Sequence, residues 1–395
     1  MGEAYIIAGL RSPFGRYGGK LASVRPDDLL AMLLRAVIER FPHIPSSRYD
    51  EVIIGCANQA GEDNRNIARM AVLLAGMPVE VPAVTVNRLC ASGLEAVLQG
   101  ARAIMCGEAD LVLAGGIESM SRAPFVIPKA ETAFSRRAEI YDTTIGWRFT
   151  NPLLAQKYPP YSMGETAENV AERYHISREA QDLYAWQSQQ RYAAAMKKGF
   201  FQGEMMSVPL PDGTLFEADE HPRPDTTLEK LAQLKPAFRE NGTVTAGNSS
   251  GINDGGAILL LASEKAIKEY ELKPMARIVG GATAGVDPAY MGIGPVPATQ
   301  KLMQRHSLSL HDIDLIELNE AFAAQVLACI KLLEIDESRL NIHGGAIAIG
   351  HPLGASGARL ALTLARSLQH YQKKYGLATL CVGVGQGVSV LLERV

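Results

Sequence analysis

The chain reads as an α/β protein built from two similar halves with an insert between them. Three observations predict this. Strand-like and helix-like segments alternate at both ends of the chain. The two ends also repeat each other in order, and between residues 121 and 249 the sequence changes character.

Taken in order, MGEAYIIAGL leads into a strand-like run, and DDLLAMLLRAVIER has a helical period. DEVIIGCANQ is a strand ending in polar residues, NRNIARMAVLLAGM a helix and VPAVTVNRLC a strand. Leu94, Val97, Leu98, Ala101, Ile104 and Met105 recur at i, i+3, i+4 and i+7, which predicts an amphipathic helix after Cys90. ADLVLAGG follows as a buried strand. Near the C-terminus VPATQKLMQRH is helical and HDIDLIELNEA is a strand ending in polar residues. GASGARLALTLARSLQHY is a helix, and LATLCVGVGQG is the last buried strand. DEVIIGCANQ thus matches DIDLIELNEA, and CASGLEAV matches GASGARLA. Two βαβ-type halves packed face to face are expected, with reactive loops from both meeting between them.

Residues 121–165 are rich in Pro, Tyr, Arg and Thr without long apolar periods. Two helices follow, the first expected to be capped by Thr166 and the second to start at Ser177 with Glu179. DGTLFEADEHPRPDTTLEKLAQL is loop-like and charged. Residues 121–249 are expected to form a lid or substrate-binding domain. Residues 1–120, completed by about 250–270, form the N-terminal half, and residues 271–395 the C-terminal half.

With 395 residues, 47% hydrophobic and 21% charged, the chain has the composition of a globular protein with a large core. A net charge of −3 gives no argument for nucleic acid or an anionic membrane as partner. Cys56, Cys90, Cys106, Cys329 and Cys381 are odd in number, scattered and without a CxxC pair. That argues against a disulfide framework and a zinc site, and for a reducing compartment. No basic-then-apolar leader precedes the first strand, and no apolar run has the length of a bilayer span. A cytoplasmic enzyme is the expectation.

Cys90 sits at a strand-to-helix turn, where a helix N-terminus lowers a cysteine pKa and makes the thiolate a nucleophile. A lone cysteine is more often a small core residue. Its company points further, because a thiolate nucleophile needs a base or cation nearby. His351 lies in a turn with Gly344, Gly345, Gly350, Gly354 and Gly357, glycines that let a backbone come close to a substrate. GHPLGASG lacks the GxGxxG spacing and downstream acid of a dinucleotide site. Cys381 ends a buried strand, and Asn319 ends the equivalent strand of the repeat. Taken alone, Cys381 is a core cysteine and Asn319 a helix N-cap. Beside a Cys/His pair, a second thiol suits C–C bond chemistry next to a thioester, where a proton must move at carbon.

The segments NRLCASGLEA, GGIESMS, MGETAENVA, TAGNSSGINDG, MGIGPVPA, LNEAFAAQ, GGAIAIGHPLGASGAR and LCVGVGQG stand here in one order. By these the chain resembles the thiolases, from residue 4 to residue 395. The resemblance implies the thiolase fold, two β-α-β-α-β-α-β-β halves in a five-layered α-β-α-β-α sandwich with an inserted loop domain that binds coenzyme A. It implies an acyltransferase that cleaves 3-oxoacyl-CoA to acetyl-CoA and a shortened acyl-CoA, reversibly, through an acyl group on Cys90. His351 then deprotonates Cys90, and Cys381 exchanges protons with the incoming or leaving group. Asn319, through a water, and His351 form the oxyanion hole for the thioester enolate. The N–H groups of Cys90 and Gly383 form the one for the tetrahedral intermediate. Arg223, Ala246 and Ser250 match coenzyme A contacts, and Met163 and Met291 match the acyl-pocket lining. No metal or redox cofactor is implied, coenzyme A being a substrate, and a homodimer or homotetramer is expected.

DTTIGWRF, NQAGEDNRNIARM, SRAPF and CVGVGQG most resemble the β-ketoadipyl-CoA (3-oxoadipyl-CoA) thiolases of aromatic-acid breakdown. Gly164 and His343 depart from that subgroup, where proline and asparagine are usual. Ser162 stands where short-chain acetoacetyl-CoA thiolases carry histidine. A dicarboxylate substrate needs a cation in the acyl pocket, and Arg122, Arg136 and Arg148 are the candidates. The alternatives are an acetoacetyl-CoA thiolase and, more remotely, a non-catalytic acyl-CoA-binding protein.

Overall fold

The computed structural model describes residues 2–395. In the N-terminal half, strand β1 (Ala4–Arg11) leads to helix α1 (Pro26–Glu39), then β2 (Glu51–Gly55) and α2 (Ile67–Leu74). Strand β3 (Ala83–Val86), helix α3 (Ser92–Cys106) and β4 (Leu111–Ser119) follow. The chain then leaves the sheet and forms α4 (Met163–Tyr174) and α5 (Arg178–Lys197), returning as β5 (Asn253–Ser263). The C-terminal half contains β6 (Ala276–Gly285), α6 (Pro295–His306), β7 (Leu315–Leu318) and α7 (Ala323–Leu333). It ends with α8 (Leu353–Tyr371), β8 (Tyr375–Val382) and β9 (Gln386–Arg394).

The repeat is a repeat of topology. The N-terminal strands lie in the order β3-β2-β4-β5-β1, and the C-terminal strands in the order β7-β8-β9-β6. Matching β1 to β6, β2 to β7, β4 to β8 and β5 to β9 superposes the two orders, with the same parallel and antiparallel pairings. The C-terminal counterpart of β3 is reduced to one parallel bridge, between Ile316 of β7 and Leu340. Asn341, with φ of 44°, turns the chain away immediately afterwards. The two sheets join edge to edge through Tyr5–Arg277 and Ile6–Ala276, giving one sheet of ten strands, the tenth being the two-residue strand Gly15–Arg16 paired to β5.

Alternation along the strands creates three cores. Val52 and Ile54 pack outward on α1 and α2 with Leu33, Val37 and Val72, while Ile53 faces inward. The central core joins Leu94, Val97 and Leu98 of α3 and Leu360 and Leu364 of α8 to both sheets, through Val112 and Leu259 on one side and Leu380 and Val390 on the other. Leu377 and Leu391 face out to Leu302 of α6 and Val326 of α7. The layers therefore run α-β-α-β-α. Each buried Leu or Val stabilises the fold by roughly 1.5–3 kcal/mol.

The glycines of CASG and GASG serve this central layer. A Cβ on Gly93 would lie 2.5 Å from the Gly354 carbonyl oxygen, and one on Gly357 would lie 2.5 Å from Leu94 N. The sequence suggested that the glycines around His351 make room for substrate. At Gly354 and Gly357 the room is taken by the facing helix and strand, because α3 and α8 cross backbone to backbone.

Two other expectations change. Ser162, not Thr166, caps α4: its hydroxyl accepts the Glu165 N–H, and the Glu165 carboxylate accepts the Ser162 N–H at 2.8 Å. Thr166 lies one turn inside and donates to the Met163 carbonyl at 2.7 Å. LATLCVGVGQG is not the last strand but β8 plus a hairpin turn into β9, with Val384 and Gly385 at φ of 63° and 83°. Ser177 caps α5 as expected, accepting the Ala180 N–H.

Candidate active site

The turn between β3 and α3 is held by its own polar groups. Asn87 Oδ1 accepts the Leu89 N–H at 2.8 Å, and Ser92 Oγ accepts the Arg88 N–H at 2.9 Å while donating to the Leu89 carbonyl at 2.7 Å. These bonds keep Leu89 at φ of 46°, a left-handed value a leucine adopts only when its surroundings impose it. Cys90 follows, half-buried, with its own N–H and that of Gly383 directed at Sγ. The turn packs against both α8 and β8.

Burial pushes the Cys90 thiol up to about 11, more than the two N–H groups pull it down. The helix N-terminus was expected to lower it. Desolvation outweighs these two N–H groups, which favours the neutral thiol at rest. Cys381, buried in β8 just before Gly383, is pushed up as well, first by burial and then by the neighbouring Cys90. It packs among Val244, Met291 and Phe322.

His351 precedes α8 and is placed by Gly350, whose φ of 111° only glycine tolerates well. Its backbone N–H donates to Asn253 Oδ1 at 2.9 Å. Nδ1 lies 2.6 Å from Ser356 Oγ, and that hydroxyl donates to the Pro352 carbonyl at 2.9 Å. A hydroxyl has one proton, so Ser356 accepts from Nδ1–H and the imidazole keeps its lone pair on Nε2. Asn319 Nδ2 lies 3.3 Å from that Nε2. Burial first, and then the positive charge of Arg359, lowers His351 to about 3, which keeps the ring neutral. Asn319 ends β7, its N–H donating to the Thr379 carbonyl at 3.0 Å. Its Oδ1 is buried without a protein partner among the described residues.

A cavity of about 370 Å³, of small-molecule size, opens at Cys90. Its wall combines Leu89, Met163, Gly383 and Val384 with the insert segment Thr143–Arg148. Two backbones at positive φ, Leu89 and Val384, thus face one space.

The sequence matches two family domains, the Thiolase N-terminal domain over residues 4–265 and the Thiolase C-terminal domain over residues 272–394. The chain belongs to the thiolase family. It is 57% identical to the 3-oxoadipyl-CoA/3-oxo-5,6-dehydrosuberyl-CoA thiolase of Escherichia coli (strain K12), an alignment covering 100% of both chains. It is 56% identical to a beta-ketoadipyl-CoA thiolase of Pseudomonas aeruginosa, covering 100% of this chain and 99% of that one. Among solved structures it resembles the Bacillus anthracis acetyl-CoA acetyltransferase, with a TM-score of 0.94, 41% identity and coverage of 100% and 99%. The protein is thus an acyltransferase of the thiolase type.

In this thiolase, two buried carboxylates that the sequence reading left without a role hold the loops together. Glu118, at the end of β4, accepts N–H bonds from Ala57 at 3.0 Å, Asn58 at 3.1 Å and Gly354 at 2.8 Å, joining the β2 loop to the start of α8. Burial, outweighing these bonds, raises it to about 7. Glu320 accepts from Tyr184, Ser188, Asn341 and the Ile347 N–H, tying α5 to the turn before His351. Both lie in segments singled out by resemblance, GGIESMS and LNEAFAAQ. A motif shows that a glutamate is present, but not which N–H groups from distant loops converge on it.

Cys56, Asp63 and Glu118 bring their ligand atoms within 4.8 Å of one another. Their bonds are already internal: Asp63 accepts the Gly61 N–H at 2.8 Å, and the Cys56 thiol donates toward both carboxylates.

The other candidates separate. Met163 lines the cavity, whereas Met291 is buried in the apolar cluster that includes Cys381 and does not line it. Arg223 and Ala246 are exposed. Ser250 is half-buried, and its N–H donates to the Ala321 carbonyl at 2.9 Å, beside the loop carrying Asn319. Arg122 pairs with Glu62 at 2.6 Å, and Arg136 is exposed outside the cavity wall. Arg148 is in the wall.

The two departures from the subgroup have different settings. A Cβ on Gly164 would lie 2.1 Å from the Phe238 ring, which meets Phe322 edge-on. His343 stacks on Phe200 at 3.5 Å, away from the cavity lining.

Proposed function

We propose that this thiolase cleaves 3-oxoadipyl-CoA with coenzyme A, giving acetyl-CoA and succinyl-CoA. The reading is carried by the meeting of two thiols, one from each half: Cys90 lines the cavity, and Cys381 neighbours it from the buried end of β8. The substrate is supported by the names and full-length similarity of the relatives.

In the first half-reaction, His351 Nε2 takes the Cys90 proton as Sγ attacks the 3-oxo carbon. The N–H groups of Cys90 and Gly383 meet the oxyanion. The C2–C3 bond then breaks, its electrons pass to the acetyl-CoA enolate beside Asn319 and His351, and Cys381 protonates C2. In the second half-reaction, the Cys381 thiolate takes the proton of the incoming coenzyme A thiol. That sulfur attacks the thioester, and Cys90 leaves with the proton held by His351. Protons balance over the cycle, and the reaction as written uses no metal or redox group.

Arg223, Ala246 and Ser250 are assigned to coenzyme A, and Met163 and Met291 to the acyl side. Residues 121–249 act as the coenzyme A-binding loop domain between halves 1–120 (completed by about 250–270) and 271–395. No helix among the described residues is long and apolar enough to cross a membrane, and cytoplasmic work is assigned on the sequence reading. Exposed Phe125, Ile127, Phe134 and Phe149 in the insert favour a dimer or tetramer.

The test compares kcat/KM for 3-oxoadipyl-CoA, acetoacetyl-CoA and 3-oxohexanoyl-CoA. Preference for the first supports the assignment. Preference for acetoacetyl-CoA replaces it with the short-chain alternative, and activity on none revives the binding-protein reading.

A further inference from the structure

Resting on the dicarboxylate reading above, we infer that Arg148 binds the distal carboxylate of the acyl chain, with Asn58 orienting its guanidinium. Arg148 and Cys90 line the same cavity. Its hydrogen bonds among the described residues are from Nη2 to Asn58 O at 3.4 Å and Oδ1 at 3.3 Å, both long. No ion pair among the described residues involves it. The contrast with Arg122 decides between the candidates, because Arg122 is neutralised by Glu62 through Nε and Nη2.

Asn58 is itself fixed. Its Nδ2 donates to the Thr143 carbonyl at 3.1 Å, and its N–H to Glu118 at 3.1 Å. The amide therefore presents Oδ1 to Arg148 from a held position, leaving other guanidinium N–H groups for a carboxylate.

Apart from Glu118, the charged wall residue is Arg148. The negative charge of Glu118 acts on Cys90, and its oxygens are occupied by the three backbone N–H groups described above. A carboxylate at Arg148 thus approaches the cation on the insert wall, while the reacting carbonyl lies at Cys90. In a succinyl group on Cys90, three carbon–carbon bonds separate these two ends. A guanidinium matches a carboxylate through two parallel N–H bonds, so the group also fixes the direction of the chain.

The experiment uses the full chain with 3-oxoadipyl-CoA and 3-oxohexanoyl-CoA, equal in length but ending in carboxylate and methyl. The readout is the ratio of their kcat/KM values. Arg148→Gln is expected to lower the ratio about 100-fold, as for a carboxylate left without its partner. Arg148→Lys, which keeps the charge and loses the fork, is expected to lower it about 10-fold, and it carries the comparison should the Gln variant not fold. An unchanged ratio in the folded variants overturns the role of Arg148 while leaving the substrate reading standing. A ratio at or below one in the unmodified enzyme removes the substrate reading, and this inference with it.

Discussion

Ser356 Oγ lies 2.6 Å from His351 Nδ1 and gives its own proton to the Pro352 carbonyl. One hydroxyl thereby fixes the tautomer of the histidine and leaves the lone pair on Nε2, toward Asn319 Nδ2, the state that the proposed role as base for Cys90 requires. Ser356 is fully buried in the first turn of α8, so solvent cannot replace it.

Ser356→Ala should therefore leave Nδ1–H without its acceptor and lower kcat/KM by about 10- to 100-fold, the cost of an unsatisfied buried donor. The acyl-enzyme formation rate, measured by mass spectrometry, should fall with it. An unaltered rate in a folded variant would show that the tautomer is set by something else.

The resting state of Cys90 gives a second prediction. With the thiol raised to about 11, the thiolate fraction climbs about tenfold per pH unit up to that value. Iodoacetamide alkylation of Cys90 should still be rising at pH 9. A plateau below pH 7.5 would mean a preformed thiolate and sink the view that the proton leaves only as substrate is attacked.

Cys381 and Cys90 are expected to separate by half-reaction. Cys381→Ser should slow 3-oxoacyl-CoA cleavage by at least about 100-fold, while acylation of Cys90 by acetyl-CoA is affected far less. Cys90→Ala should form no acyl-enzyme at all. Equal losses in both assays for Cys381→Ser would make that residue structural.

Glu118→Gln places an amide where three backbone N–H groups converge, so at least one of them faces a donor. The expected loss of stability is about 2 kcal/mol. Chemical denaturation checks this, and an unchanged midpoint would show that the loops are held by packing alone.

His343 makes stability depend on pH. Burial first, and then the charges of His370, Lys198 and Arg366, lowers it to about 4, whereas in the unfolded chain it titrates near its ordinary value of 6.5. Below pH 6.5 the unfolded chain takes up a proton that the fold refuses, so stability is lost down to about pH 4. His343→Asn forfeits the stacking on Phe200 and should be less stable at pH 7.5. Its deficit should shrink by about 2 kcal/mol by pH 4.5. A deficit independent of pH would show that His343 does not titrate in this way.

The sequence alone determined the α/β layering, the doubled order of elements and the segments that carry Cys90, Asn319, His351 and Cys381. Those features rest on hydrophobic period and local motif, which neighbouring residues encode. Tertiary structure decided the rest, because desolvation and pairing arise between segments far apart in the chain. It raised the Cys90 thiol through burial despite its place at a helix start, and filled the space at Gly354 and Gly357 with protein. It also brought the Asn253 side chain to the His351 backbone and the Asn319 amide to its ring. Of three arginines alike in the sequence, only the fold could pair Arg122 with Glu62 and leave Arg148 in the cavity wall without an acidic partner among the described residues.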